Sequence, residues 1–193
     1  MGNEVYVGAS RCDRELHDAE HLLGGLVAAL RPLGEVSLAC THVVTVPWRH
    51  EAVSVAVSNA DDEAVLAAAT AAVGAGATVV VLSGSARSSA GPDNAGAAAA
   101  AESLRDRSGG RAVVFAGQER LLGELPLSEA VQVSDLDGVL SMAGEPAPDA
   151  VLVTRDHVRP ELVGGRLLLR TQHEDPSRLV PWEPPVVHQC GGH

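Results

Sequence analysis

The chain has 193 residues, and 46% of them are hydrophobic. It has 14 basic and 25 acidic residues, which gives a net charge of −11 with the histidines neutral. This length predicts one domain, or one domain with an appendage, and the apolar fraction suffices for a core. The acidic balance argues against nucleic-acid partners, which require a basic face. All the basic residues are arginines, which excludes lysine-dependent phosphate loops and Schiff-base chemistry.

The first half of the chain alternates strand-like and helix-like segments. Apolar runs predict strands at 4–10, 35–46 and 52–57, the last two compatible with a hairpin, and a 3.6-residue period predicts helices at 13–31 and 61–73. A valine-rich run at 78–82 is typical of a strand buried on both faces, as in a parallel sheet. A helix at 94–106 and a strand at 111–116 complete the alternation.

The second half is less regular. We expect an extended segment at 125–133, a helix at 135–142, a proline-containing linker from 145, strands at 150–154 and 166–171, and an irregular tail from 176. The alternation in the first half is typical of a mostly parallel, helix-flanked sheet. The sequence therefore predicts a three-layer α/β domain over 1–144, resembling a Rossmann-type sheet, and a β-rich extension over 145–193.

The loop after the valine-rich strand is the first candidate site. In open parallel sheets, ligands bind beyond the carboxyl ends of the strands. Small hydroxyl side chains, backbone N–H groups and one guanidinium can hold a phosphate or a carboxylate. We therefore expect a small anionic ligand to bind at Ser83, Gly84, Ser85, Arg87, Ser88 and Asn94. The sequence does not indicate a particular cofactor.

A second candidate function is that of a metal-dependent enzyme, with its metal site on the first predicted helix. His17, Glu20 and His21 match the pattern H-x-x-E-H, in which two histidines one helical turn apart bind zinc beside a glutamate base. The alternative is an exposed helix face with both histidines solvated. No third ligand on a later helix is identified.

Cysteine and histidine pairs supply further alternatives. Cys40 and His42 on one strand, with His188, Cys190 and His193 of the tail, carry zinc or copper ligands. Residues two apart on a strand share a face, so Cys40 is also a candidate nucleophile with His42 as its base. The alternative is that Cys40 is a small buried strand residue.

Residues 36–118 resemble the MutL-type proteins associated with glutamate mutase, which have an actin-like ATPase fold. The resemblance is carried by Leu38-Ala39-Cys40, Val80-Val81-Leu82-Ser83-Gly84-Ser85 and Val113-Val114-Phe115-Ala116-Gly117-Gln118. The family's glycine-rich loop is replaced by residues 84–94, so the resemblance does not imply ATP hydrolysis. His17-Asp18, the turn at 33–36 and Ser83 also resemble a cobalamin-binding domain, which implies an accessory subunit of a cobalamin-dependent enzyme.

The tail supplies an interaction hypothesis. Trp182 lies among prolines and apolar residues at 178–187, and tryptophan is favoured at interface centres. This predicts docking on a protein partner or a second copy; the alternative is that Trp182 covers the chain's own sheet.

The cellular location is predicted from what the sequence lacks. Three widely spaced cysteines, no signal-peptide pattern and no apolar run of membrane-spanning length predict a cytoplasmic protein without a membrane partner.

Overall fold

The computed structural model describes residues 4–92, 95–142 and 144–183. The chain divides into two compact units. Unit 1 comprises Met1–Ala116 and Glu161–Arg166, and unit 2 comprises Gly117–Pro160 and Leu167–His193.

Unit 1 is built from a β-α-β-β-α-β core with three added strands and one added helix. In chain order its elements are β1 (Glu4–Asp13), α1 (Leu16–Leu30), β2 (Glu35–Val44), β3 (His50–Ser58), α2 (Asp62–Val73), β4 (Thr78–Ser83), β5 (Ala86–Ala90), α3 (Ala95–Arg105), β6 (Arg111–Phe115) and β10 (Glu161–Val163).

The strands of unit 1 pair in the order β5-β4-β1-β3-β2-β6-β10, and each of these pairs is antiparallel. The two split β-α-β units place β3 between β1 and β2, and β1 between β3 and β4. This is the ferredoxin-like arrangement. Such a topology is compatible with many functions, so function has to be argued from a site.

Helices α1 and α2 cover one face of this sheet. Alternate residues of the central strands, among them Val7, Val55 and Val81, are fully or almost fully buried against this pair. Leu23 and Leu26 of α1 and Val65 of α2 fill the space above them. Asp61 accepts a hydrogen bond from the Ala64 N–H at 2.9 Å and so caps α2.

Helix α3 covers the opposite face. Val80 and Leu82 of β4 pack against Ala97, Ala98 and Ala101. Because these helical side chains are small, the helix lies very close to the sheet. The position of Gly8 in β1 shows how close: an added Cβ there would collide with the Ala97 carbonyl oxygen and lie 2.9 Å from the Ala101 nitrogen.

The predicted three-layer, mostly parallel α/β sheet is wrong, and so is the Rossmann-like description. The sheet of unit 1 is antiparallel. The valine-rich run in β4 is buried on both faces because α2 and α3 lie on opposite sides of it, and that burial does not depend on strand direction. Burial on both faces is thus compatible with either kind of sheet when helices cover both sides.

Several local predictions for unit 1 are confirmed. Helices α1, α2 and α3 and strands β1, β2, β3, β4 and β6 occur where periodicity predicts them, with ends that differ by a few residues. Strands β2 and β3 form the hairpin that the sequence allows. Strand β5 was not predicted, because its residues are polar and almost entirely exposed.

Unit 2 contains a small mixed sheet. Its elements are β7 (Glu124–Pro126), α4 (Leu127–Val133), β8 (Gly138–Ser141), β9 (Val151–Val153), β11 (Arg166–Asp175) and β12 (Arg178–Pro181), preceded by a 3₁₀ turn at Gln118–Arg120. The first residue of β11, Arg166, is counted in unit 1. Strand β11 pairs parallel to β8 and antiparallel to β12, while β9 pairs parallel to β12 and antiparallel to β7.

Two predictions for unit 2 are wrong. The segment 125–133 is mostly the helix α4, and 135–142 contains the strand β8 instead of a helix. Asp137 accepts a hydrogen bond from the Leu167 N–H at 2.6 Å, which ties this segment to β11. Across the ranges that the structure describes, no helix combines the length and apolar character needed to cross a membrane.

Candidate functional site

A cavity opens in unit 1 where β2 extends beyond β6. Strand β6 begins at Arg111, opposite Thr41, so the last residues of β2 run past its end. The cavity there measures about 440 Å³, within the range of small-molecule sites. Its lining consists of Leu16, Thr41, His42, Val43, Val44, Glu51, Ser103, Gly109, Gly110, Arg111, Glu161 and Leu162.

His42 is the most deeply buried titratable group of this lining. The residue is 6% exposed, and its Nε2 lies 2.6 Å from the hydroxyl oxygen of the buried Ser54. Gly110 lies against the ring, since a Cβ added there would be 2.6 Å from His42 Cε1. Burial lowers the pKa of His42 to about 4. The imidazole is therefore neutral at pH 7.

Arg111 supplies a guanidinium to the cavity wall. Its Nη1 donates to Glu20 Oε1 at 2.8 Å, and the two side chains are 16% and 32% exposed. A partly buried pair of this kind is screened less than a surface one. The charge of Arg111 is thus offset by a carboxylate from α1.

Glu51 brings a carboxyl group to the same cavity. It lies in β3 opposite Val43 of β2 and is half-buried. Burial raises the pKa of Glu51, and the nearby Arg49, His50 and Arg111 oppose that rise only in part. A desolvated carboxyl of this kind is stabilised by protonation or by a cationic partner.

Acidic groups dominate the electrostatics of the cavity. Glu51 and Glu161 line it with Arg111, and Glu20 contacts that arginine. Arg49 also acts on Glu51 but is exposed, where water screens its charge. His42 adds no positive charge at pH 7. The cavity therefore favours a ligand group that is positively charged or donates hydrogen bonds.

Cys40 lies beside His42 under Gly110, as their two-residue spacing predicts. The thiol is buried, and burial raises its pKa to about 12. A cysteine nucleophile needs the opposite shift, because the thiolate is the reactive form. Cys40 is therefore placed as a small core residue of β2, the alternative that the sequence left open.

We expect Cys40 to be unreactive in the folded protein. In a Cys12→Ser, Cys190→Ser variant, an aromatic disulfide reagent at pH 8 should modify the remaining thiol only after urea is added. The expected rate difference is at least about 100-fold, because the folded thiol is both inaccessible and protonated. A Cys40→Ser, Cys190→Ser variant, which retains the partly exposed Cys12, serves as the comparison. Rapid modification of Cys40 without urea would contradict its burial.

The predicted anion-binding loop forms a hairpin. Ser83 ends β4, Gly84 and Ser85 make the turn, and Ser83 pairs with Ala86 of β5. Arg87 and Ser88 lie in this exposed edge strand, and Arg87 Nη1 is 3.5 Å from Glu102 Oε1. Asn94 lies outside the described residues. Since the sheet is antiparallel, the strand-end argument for a site here no longer applies, and anion binding at this hairpin stays a prediction.

The structure brings together two of the three predicted metal ligands. His17 and His21 lie one turn apart on α1 with their Nε2 atoms 3.0 Å apart. Glu20 instead binds Arg111. Among the described residues no group of three or more histidine, cysteine, aspartate or glutamate side chains is arranged to hold a metal ion. The tail residues His188, Cys190 and His193 lie outside the described ranges.

Trp182 follows β12 and is 53% exposed. Its backbone N–H donates to the Arg170 carbonyl at 2.9 Å, and the preceding Val180 and Pro181 are buried. The first part of the predicted tail thus belongs to the sheet of unit 2. Docking of a partner or a second copy through Trp182 stays a prediction.

The sequence did not single out the cavity residues Glu51 and Arg111, or Ser54 behind His42. The available signal was weak. Glu51 is a charged residue directly before the apolar run 52–57, and Arg111 opens an otherwise apolar strand. Nothing local shows that they lie with Glu20, which is 91 residues from Arg111.

A scan of family models, a search of curated proteins and a search of solved structures each found no match to the chain. The resemblances to MutL-type proteins and to cobalamin-binding domains therefore stay predictions.

Proposed function

We propose that unit 1 binds a small organic cation in the cavity beside β2. The observation that carries the proposal is the half-buried carboxyl of Glu51, whose pKa burial raises. A basic amine or amidine would replace the hydration that this group loses, and it would restore the charged form of the carboxyl. The ligand differs in sign from the anion predicted from the sequence, because the cavity is acidic and the hairpin is not part of it.

Three features of the lining support this choice of charge. Arg111 is offset by Glu20 at 2.8 Å, and burial keeps His42 neutral. Glu161 adds a second carboxyl to the wall. Apolar contacts from Leu16, Val44 and Leu162 provide room for a hydrocarbon or aromatic body.

Replacement of Glu51 tests the proposal. The probes are benzamidine, benzamide and benzoate, which share a shape and differ in charge. We expect benzamidine to raise the unfolding temperature of the full chain and the other two to leave it unchanged, since only ligands that bind the folded state stabilise it. Glu51→Gln keeps the side-chain shape and should weaken benzamidine binding at least about tenfold, or roughly 1.4 kcal/mol.

Glu35→Gln is the matched control. Glu35 begins β2 at its other end and is exposed, so this variant should bind benzamidine as the unmodified chain does. Stabilisation by benzoate but not by benzamidine would show that the charge argument is wrong. No response to any of the three, or equal affinity of the Glu51→Gln variant, would remove the support for a cation site.

A further inference from the structure

The first turns of α1 present two imidazoles toward each other. His17 and His21 are both exposed, their Nε2 atoms are 3.0 Å apart, and their ring planes are nearly perpendicular with centroids 4.4 Å apart. The four-residue spacing places both side chains on one face of the helix. At this distance the two Nε2 atoms share a hydrogen bond. Displacement of the shared proton by a metal ion would leave both nitrogens within reach of that one ion.

The separation of the two nitrogens fits one coordination geometry better than another. Imidazole nitrogens bind first-row metals at about 2.0–2.1 Å. With both bonds at that length, a 3.0 Å separation corresponds to an angle of roughly 94° at the ion. That is a cis angle of a square-planar or octahedral site, whereas a tetrahedral angle needs a separation of about 3.4 Å. Nickel(II) and copper(II) prefer the former geometry.

We propose that His17 and His21 form a two-imidazole binding site for a divalent nickel or copper ion on the exposed face of α1. This site differs from the three-residue site that the motif predicts, because Glu20 is held by Arg111 at 2.8 Å. Water or an added ligand would occupy the remaining coordination positions of the ion.

The surroundings leave room for those positions. The next turn of the helix carries Gly24 and Gly25, and a Cβ added at either would meet nothing within 4 Å. No bulky side chain therefore extends from these two positions beside His21. The proposed site lies on the helix surface and is independent of the cavity.

Nickel(II) is the probe, since it does not oxidise the thiols of Cys12 and Cys40. The protein is the full chain without an affinity tag, carrying His188→Gln, Cys190→Ser and His193→Gln to remove the competing ligands of the tail. Calorimetric titration should show one nickel ion per chain. His17→Gln and His21→Gln should each weaken binding at least about tenfold, because either change removes the chelate. The double variant should bind nickel about as weakly as either single variant, because one substitution already removes the chelate.

His173→Gln is the matched control. Its imidazole lies in β11, 3.0 Å from the Ser141 hydroxyl, so this variant should bind nickel as the parent does. Unfolding midpoints measured without metal establish that the variants fold. In the parent, substoichiometric nickel should also broaden the imidazole proton resonances of His17 and His21 first, a readout that needs no substitution in α1.

Two results would overturn the proposal. One is nickel affinity within about twofold of the parent in either single α1 variant, which would show that the two imidazoles do not bind one ion. The other is broadening that begins at histidines outside α1.

Discussion

Gly8→Ala should destabilise the protein by about 3 kcal/mol, as measured by urea unfolding, although it adds a single methyl group. Gly8 lies in the middle of β1, between its partners Ser54 in β3 and Val80 in β4. The added Cβ would collide with the backbone of α3 at Ala97 and Ala101. A backbone collision cannot be relieved by a rotamer change, so α3 would have to move off the sheet and lose part of its packing.

Gly25→Ala is the matched control. It adds the same methyl group at an exposed helical position of α1, where a Cβ meets nothing within 4 Å. Because alanine is the better helix former, this variant should be more stable than the parent by about 0.5–1 kcal/mol. If Gly8→Ala instead unfolded within about 0.5 kcal/mol of the parent, the close packing of α3 on β1 would be wrong.

The sequence predicts the elements of unit 1 better than their arrangement. The period of α1 and the apolar runs of β3 and β4 are local signals, and both are confirmed in the structure. Strand direction depends on pairing between distant segments, such as β1 with β4. A strand covered on both faces by helices has the same composition in a parallel and in an antiparallel sheet. The sheet class therefore could not be read from apolar runs alone.

Sequence patterns also fail to predict polar edge strands and short elements. Strand β5 (ARSSA) has no apolar alternation, and it forms because the two-residue turn after Ser83 folds it back onto β4. In unit 2, β8 exists through its pairing with β11. Its buried neighbour Leu136 and the Asp137 hydrogen bond to the Leu167 N–H fix this segment. Such long-range contacts leave no periodic signal in a four-residue strand.

The residues of the cavity likewise come from distant parts of the chain, which local sequence patterns do not show. The sequence singles out His42 for its spacing from Cys40, yet the hydrogen-bond partner of His42 is Ser54 across the β2–β3 hairpin. Arg111 and Glu51 line the same cavity as His42 only because β6 and β3 flank β2 on opposite edges. A motif search finds residues that are close in the chain, whereas this site joins residues from α1, β2, β3, α3, β6 and β10.

The buried His42 should make the protein lose stability in mild acid. The pKa of its imidazole is lowered to about 4 in the folded protein, against about 6.5 in the unfolded chain. Between these values the unfolded state binds the proton and the folded state does not. Stability is therefore fully present above about pH 6.5, falls as the pH drops through the window, and changes no further below about pH 4 through this group.

The expected loss is about 3 kcal/mol between pH 7 and pH 4, since each pKa unit corresponds to roughly 1.4 kcal/mol. His42→Gln removes the titrating group and keeps a hydrogen-bonding side chain for Ser54, so the difference between the pH profiles of parent and variant isolates the histidine.

Glu51 acts in the opposite direction, because its pKa is raised by burial and its neutral form is favoured on folding. A Glu51→Gln variant should therefore show a steeper loss in acid than the parent. Urea unfolding at half-unit pH steps measures all three profiles, and parallel profiles for the parent and His42→Gln would show that His42 is protonated in the folded protein as easily as in the unfolded chain.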